Sequence, residues 1–148
     1  MIGGPRDLAT TQQCISGLCD ILESQGLGIQ KHLMLPGPPT LDFSREMTKQ
    51  LVRLEQNFTA VFCYNDIVDV GMCPRLRECG KKVSEDVSVV GVDNLPVSEA
   101  VYHALTTVEI YPWSICLRSV QVLTNTLRGK KSGHKEKIIL PPQLIIRA

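Results

Sequence analysis

Residues 84–96, SEDVSVVGVDNLP, constrain the fold more than any other stretch. Val87, Val89, Val90 and Val92 form a near-continuous apolar run, Gly91 interrupts it, and Asp93 and Asn94 end it before Pro96. A strand that is apolar on both faces is covered on both sides, as in a parallel sheet flanked by helices. Ligands of open α/β sheets bind outside the carboxyl ends of the strands. A buried strand that runs into a carboxylate and an amide therefore marks a candidate site, provided that other strands end there with similar chemistry.

The rest of the chain alternates accordingly. Ile2 with Gly3 and Gly4 reads as the tail of a strand. Residues 10–25 place Ile15, Leu18, Cys19 and Leu22 at helical spacing, with Thr10 and Gln13 as a capping box and Gly26 as the stop. Residues 32–35 form a short second strand, and Pro36, Gly37, Pro38 and Pro39 a loop. Ser44 caps a second helix in which Met47, Leu51 and Leu54 share a face. Residues 59–64, TAVFCY, make a third strand that Asn65 and Asp66 follow at once.

A third helix spans 67–79 and stops at Gly80. Pro74 falls inside it and removes a backbone bond, at a cost of about 3 kcal/mol if unrelieved. Residues 87–92 are the fourth strand, 105–110 are extended, and 114–128 form a helix closed by Gly129. The ending IILPPQLIIR supplies two short apolar runs divided by Pro141 and Pro142. Strands alternating with helices predict an α/β fold, a doubly wound parallel sheet with helices on both faces.

Composition narrows the function classes. The 148 residues, 43% of them hydrophobic, suffice for one domain with a real core. Sixteen Lys and Arg against fifteen Asp and Glu leave a formal net charge of +1, without the basic surplus of a nucleic-acid binder. Lys130, Lys131, Lys135 and Lys137 read as a solvated loop. No apolar run approaches the roughly 18–20 residues that span a bilayer, and MIGGPRDLATTQQ lacks the pattern of a secretory signal. The expected location is the cytoplasm, with no membrane partner.

Cys14, Cys19, Cys63, Cys73, Cys79 and Cys116 show no C-x-x-C pair, and His32, His103 and His134 are scattered. Zinc ligands arrive as closely spaced pairs, so no metal or cofactor is expected; reduced thiols packed among apolar residues fit better. The chain contains no G-x-S-x-G elbow, G-x-x-x-x-G-K-[ST] loop or G-x-G-x-x-G fingerprint, and an enzyme is not expected.

Three strand ends share one chemistry. The third strand ends at Asn65 and Asp66, the fourth at Asp93 and Asn94, and the second leads through its proline loop to Asp42 and Phe43. On one edge of a parallel sheet, acids and amides pair with ligand hydroxyls while an aromatic ring walls a sugar or base. Asp42, Asp66 and Asn94 could equally cap helices or turns. Capping is the reading favoured for Asp66, and a ligand role for Asn65 and Asp93. Phe43 stands between ligand wall and core.

These residues carry a resemblance. TAVFCYNDIVDVG, then LRECGKKVSEDVSVVGVDN, LTTVE and LPPQLIIR, with IGGPRDLATTQQCISGLCDIL before them, resemble the effector-binding core of the lactose-repressor (LacI/GalR) family of transcriptional regulators. The resemblance implies a periplasmic-binding-protein-like fold in which a sugar-like or purine-like effector lies in a cleft between two α/β subdomains. It implies ligand contacts at Asn65, Asp93 and Phe43. The family's effector-contacting Arg, three residues before the helical Gly matching Gly17, is Cys14 here, which removes a forked donor.

The resemblance also implies an organisation. Residues 1–112 correspond to the C-terminal effector-binding subdomain without its first helix, 113–129 to a helix of the other subdomain, and 130–148 to return strands. A homodimer is expected. Operator DNA is expected to bind only through a domain absent from this chain. The competing reading is a sugar-binding protein for transport or chemotaxis, which shares the fold.

Overall fold

A computed structural model describes residues 1–28, 30–54, 58–101, 104–129 and 137–147. Lys130, Lys131, Lys135, His103 and His134 lie outside the described residues. The elements are α1 Ala9–Ser24, a 3-10 turn Lys31–Leu33, α2 Leu41–Arg53, β1 Ala60–Phe62 and α3 Asp66–Glu78. They continue with β2 Ser88–Val92, α4 Val97–Ala100, β3 Thr107–Glu109, α5 Pro112–Leu127 and β4 Gln143–Ile145.

The sheet order is β1-β2-β3-β4. β1, β2 and β3 are parallel, with Val61 opposite Val89 and Gly91 opposite Thr107. Ile2 extends the sheet beyond β1 by bridging Leu35 and Cys63 in parallel. Its N–H donates to Phe62 at 3.0 Å and its carbonyl accepts from Tyr64 at 2.9 Å. The anticipated parallel alternation therefore holds through β3.

β4 departs from it by pairing antiparallel to β3, with Gln143 opposite Glu109. The chain leaves β3 at the carboxyl edge through α5, and Gln143 re-enters at that same edge beside Glu109, so β4 must run downward. The expected strand over 32–35 also shrinks to a 3-10 turn and one bridge at Leu35. Pro36, Pro38 and Pro39 lack the N–H groups that a longer ladder needs.

Two caps lie elsewhere than the sequence predicts. α1 begins after Leu8, which makes no side-chain cap bond, and Thr10 is inside the helix with its hydroxyl on Tyr64 at 3.2 Å. Thr40 caps α2 by accepting from Phe43 N, whereas Ser44 is buried and donates to the Val68 carbonyl of α3. The helical stops are as read: Gly26, Gly80 and Gly129 all have positive φ just past α1, α3 and α5. Pro74 sits within α3 on its exposed side, so the ladder it breaks faces solvent.

The core lies between the sheet and the α2–α3 pair. Val61, Cys63, Val87 and Val89 meet Val68, Met72 and Leu76 of α3 and Leu51 of α2. Met47 packs at its margin, while Leu54 is exposed. The helices approach closely at Gly71, where a Cβ would stand 2.9 Å from the Leu41 carbonyl oxygen. The alternate residues Ala60, Phe62, Ser88 and Val90 face the other side. There, Leu18 and Leu22 of α1 roof a cavity of about 1020 Å³ that Leu144 also lines.

α5 stands apart. None of its residues is buried; Trp113 is 73% and Leu127 77% exposed. Pro112 occupies its first turn, a favoured position because the missing N–H would be unpaired there.

Candidate functional site

Four adjacent chain segments rise to the carboxyl edge of the sheet in the order Leu35, Ile2, β1, β2, and the candidate residues follow them. Asn65 is held where β1 turns into α3: its Oδ1 caps α3 by accepting from Val68 N at 3.1 Å. Capping uses the oxygen, while the NH2 end of the same amide is a separate pair of donors.

Asp66 does not cap. It is fully buried, and its carboxylate accepts the Thr107 hydroxyl at 2.5 Å and the Leu95 N–H at 2.8 Å. Thr107 in turn accepts from Asn94 N at 3.3 Å. The capping expectation for Asp66 thus passes to its neighbour, because the pull of distant donors on a buried carboxylate exceeds that of its own helix end.

This lattice fixes the turn after β2. Asp93 has φ 105° and Asn94 φ 50°, a left-handed region that asparagine tolerates and aspartate adopts at a cost. Asn94 Nδ2 donates to Glu109 at 2.7 Å, and its Oδ1 accepts from Arg147 at 2.8 Å. Arg147, two residues past the end of β4, also donates to the Leu105 carbonyl at 3.1 Å and pairs with Glu99 at 2.7 Å. Asn94 is therefore a structural tie across three segments.

Asp93, half-buried, has its carboxyl pushed above the usual range by burial first and then by the Asp66 and Glu109 carboxylates. A half-buried acid in strained backbone, crowded by two other acids, welcomes donors. Glu109 is held below its usual range by the Asn94 amide and the Tyr111 backbone N–H.

Phe43, in the first turn of α2, lays its ring against Gly37, and a Cβ there would collide with it. The ring also packs at the edge of the core. Gly37 bridges Gly4, whose Cα approaches the Tyr64 ring: a Cβ on Gly4 would lie 2.7 Å from Tyr64 Cδ2. Phe43, Gly37, Gly4, Tyr64 and Thr10 are thus linked by one chain of contacts that leads to Asn65, the residue after Tyr64. Tyr64 was not singled out from the sequence, and Thr10 was read only as a helix cap; an aromatic ending a strand two residues short of an acid is the signal that could have found Tyr64. Cys14 lies one turn beyond Thr10 on α1, partly buried, with its thiol pushed up by burial. No group of three or more His, Cys, Asp or Glu side chains among the described residues could hold a metal ion. No described helix is long and apolar enough to cross a membrane.

In an open α/β sheet, polar strand ends gathered on one edge mark the place where ligands bind. The chain belongs to the family of periplasmic binding protein-like domains, whose model matches residues 1–148. It is 27% identical over 148 residues to the HTH-type transcriptional repressor PurR of Vibrio atlanticus, covering 99% of this chain and 44% of that one. It corresponds to the C-terminal ligand-binding part of such repressors and spans less than half their length.

Among solved structures, a LacI-family regulatory protein from Chloroflexus aggregans superposes with a TM-score of 0.92 at 27% identity, covering 99% of this chain and 53% of that one. The transcriptional regulator CelR in complex with cellobiose superposes with a TM-score of 0.88 at 25% identity, covering 99% and 44% respectively. These relatives are regulators, not enzymes.

Proposed function

We propose that this chain is one wall of an effector cleft in a LacI-type transcriptional regulator, and that it binds a small sugar-like or purine-like ligand without transforming it. Asp93 accepts ligand hydroxyl or N–H groups, Asn65 donates through its NH2 end, and Phe43 supplies a flat apolar wall, with Cys14 at the margin. The observation that carries this reading is the turn at Asp93. Its backbone is strained, tied down by Asp66, Thr107, Asn94 and Arg147, and its carboxyl is left at the strand-end edge. Strain held by a surrounding network is characteristic of functional positions. The cellobiose complex of CelR supports the sugar class, and the likeness to PurR repressors supports placing the protein in the cytoplasm.

Operator DNA is contacted through a domain outside these 148 residues. Residues 1–112 with 130–148 make the effector-binding subdomain, and 113–129 pack in the other subdomain of the whole regulator; that α5 buries none of its residues here supports that division. In this chain by itself, the same helix face favours a homodimer. A thermal-shift screen of mono- and disaccharides, nucleosides and nucleobases tests the reading. A compound that raises the melting temperature of the wild type and leaves Asp93→Ala unmoved supports it. A hit that acts equally on both proteins removes Asp93 from the site.

A further inference from the structure

We infer that Asp69, at the back of the strand-end site, is a proton-binding switch: protonated, it lets Asp66 brace the turn that presents Asp93, and ionised, it loosens that brace and the fold with it. The inference concerns the chain's own stability and goes beyond ligand binding.

Asp69 lies one turn after Asp66 in α3, and both are fully buried. Its Oδ1 accepts from the Cys73 thiol at 2.8 Å, and its Oδ2 has no hydrogen-bond partner among the described residues. Both acids point at one place on β2. A Cβ on Gly91 would collide with Asp66 Oδ1 and lie 3.3 Å from Asp69 Oδ2. Gly91 is what allows two carboxyl groups beneath the strand.

One thiol is a weak donor and cannot replace the water that an ionised carboxylate loses on burial. The groups acting on Asp69 are Asp66 and Cys73 on its own helix. From the end of β1, the buried Cys63 thiol is pushed well up by its own burial and by the Asp69 charge. Beyond Cys63 lies the Met1 amino group, which acts on that thiol. Gly91 of β2 carries no charge, and Thr107 of β3 reaches the pair through Asp66. Burial first, and the Asp66 carboxylate second, push the Asp69 carboxyl up to about 7, against the opposing Cys73 hydrogen bond.

The direction follows from linkage. Between the ordinary aspartate value and about 7, the folded chain keeps a proton that the unfolded chain has released. Stability is therefore highest on the acid side of that window, falls as pH rises through it, and levels off above. The consequence reaches the site because Asp66 holds Leu95 N and Thr107, and Thr107 holds Asn94 N. A new negative charge beside Asp66 repels the carboxylate on which all three depend.

The test needs no ligand. In the isotope-labelled wild-type chain, the Asp69 carboxyl carbon and the Leu95 amide are followed by NMR from about pH 4.5 to about pH 8.5, a range that brackets the shifted group. The expected result is an Asp69 midpoint near 7, with the Leu95 amide shifting at the same midpoint. In parallel, the urea midpoint of the wild type should fall across this range more steeply than that of Asp69→Asn. An Asp69 carbon that titrates in the ordinary carboxylate range overturns the inference. So does a Leu95 amide that ignores its titration, or an equal pH slope in the two proteins. If Asp69→Asn does not fold, the wild-type titration decides alone.

Discussion

Thr107 donates its hydroxyl to the Asp66 carboxylate at 2.5 Å across 41 residues of sequence. That bond ties β3 to the first turn of α3, and the same carboxylate holds the Leu95 N–H. Asp66→Ala leaves two donors without their acceptor, each costing about 1–3 kcal/mol. Thr107→Val removes one donor while keeping the shape, and should cost less. Urea denaturation with an unchanged m-value measures both. Wild-type stability in Asp66→Ala would mean that the turn after β2 is held by Arg147 and Asn94 instead.

The turn at Asp93 sets stability against function. Glycine adopts φ near 105° without steric cost, so Asp93→Gly relieves backbone strain and should raise stability by about 1 kcal/mol. Asp93→Ala keeps the strain and should gain nothing. Both should weaken ligand binding by about 1.5–3 kcal/mol, the scale of a hydrogen bond to a charged group. Calorimetric titration beside thermal melting separates the two effects. A glycine variant that melts below the alanine variant contradicts the strain argument.

Gly71 lies where α2 and α3 meet most closely, with the Leu41 carbonyl oxygen 2.9 Å from the place a Cβ would occupy. Gly71→Ala must push backbone against backbone, and overpacking of this kind costs about 1–3 kcal/mol. Its measure is the loss in urea midpoint. A stabilised variant, gaining from helix propensity alone, would show that the two helices separate freely.

The exposed face of α5 makes a prediction about assembly. Val120, Leu123 and Leu127 form its apolar stripe, and Ile115, Leu117 and Val122 widen it. Burying one such side chain is worth about 1.5–3 kcal/mol, so several exposed together favour any cover available. The 148-residue chain should run as a dimer in light scattering, and Leu123→Glu with Leu127→Glu should shift it to monomer. A clean wild-type monomer contradicts the expectation. Because its near-neutral charge leaves no strong phosphate term and the base-reading domain is proposed to lie outside these residues, the chain should also fail to retard any duplex sequence-selectively at physiological salt.

Much of this architecture was legible in the sequence. The valine run over 87–92 read as a doubly covered strand and is β2, and Gly26, Gly80 and Gly129 marked helix ends because positive φ favours glycine. What was not legible depended on partners far along the chain. Ser44 has the chemistry of a cap, yet its place is decided by the Val68 carbonyl, and Thr40, four residues earlier, holds the cap instead. Asp66 looks like a cap until Thr107 and Leu95 come into reach. The sense of β4 depends on where α5 sends the chain, which no local pattern records. The site was readable as residue types at strand ends, but Tyr64 and Thr10 join it only through the contact between Gly4 and the Tyr64 ring.

The central claim is that a small ligand binds at the carboxyl edge of β1 and β2. One wall of a cleft is expected to bind weakly, so the direct measurement is an NMR titration of the labelled chain, which detects millimolar binding. Cellobiose is the first probe, since a relative is solved with it, followed by purine nucleobases and nucleosides. The account predicts saturable shifts concentrated at Tyr64, Asn65, Asp93 and Asn94 with at least one sugar or purine, and their loss in Asp93→Ala. Shifts confined to the α1 cavity or to α5, with the strand ends silent, would contradict it.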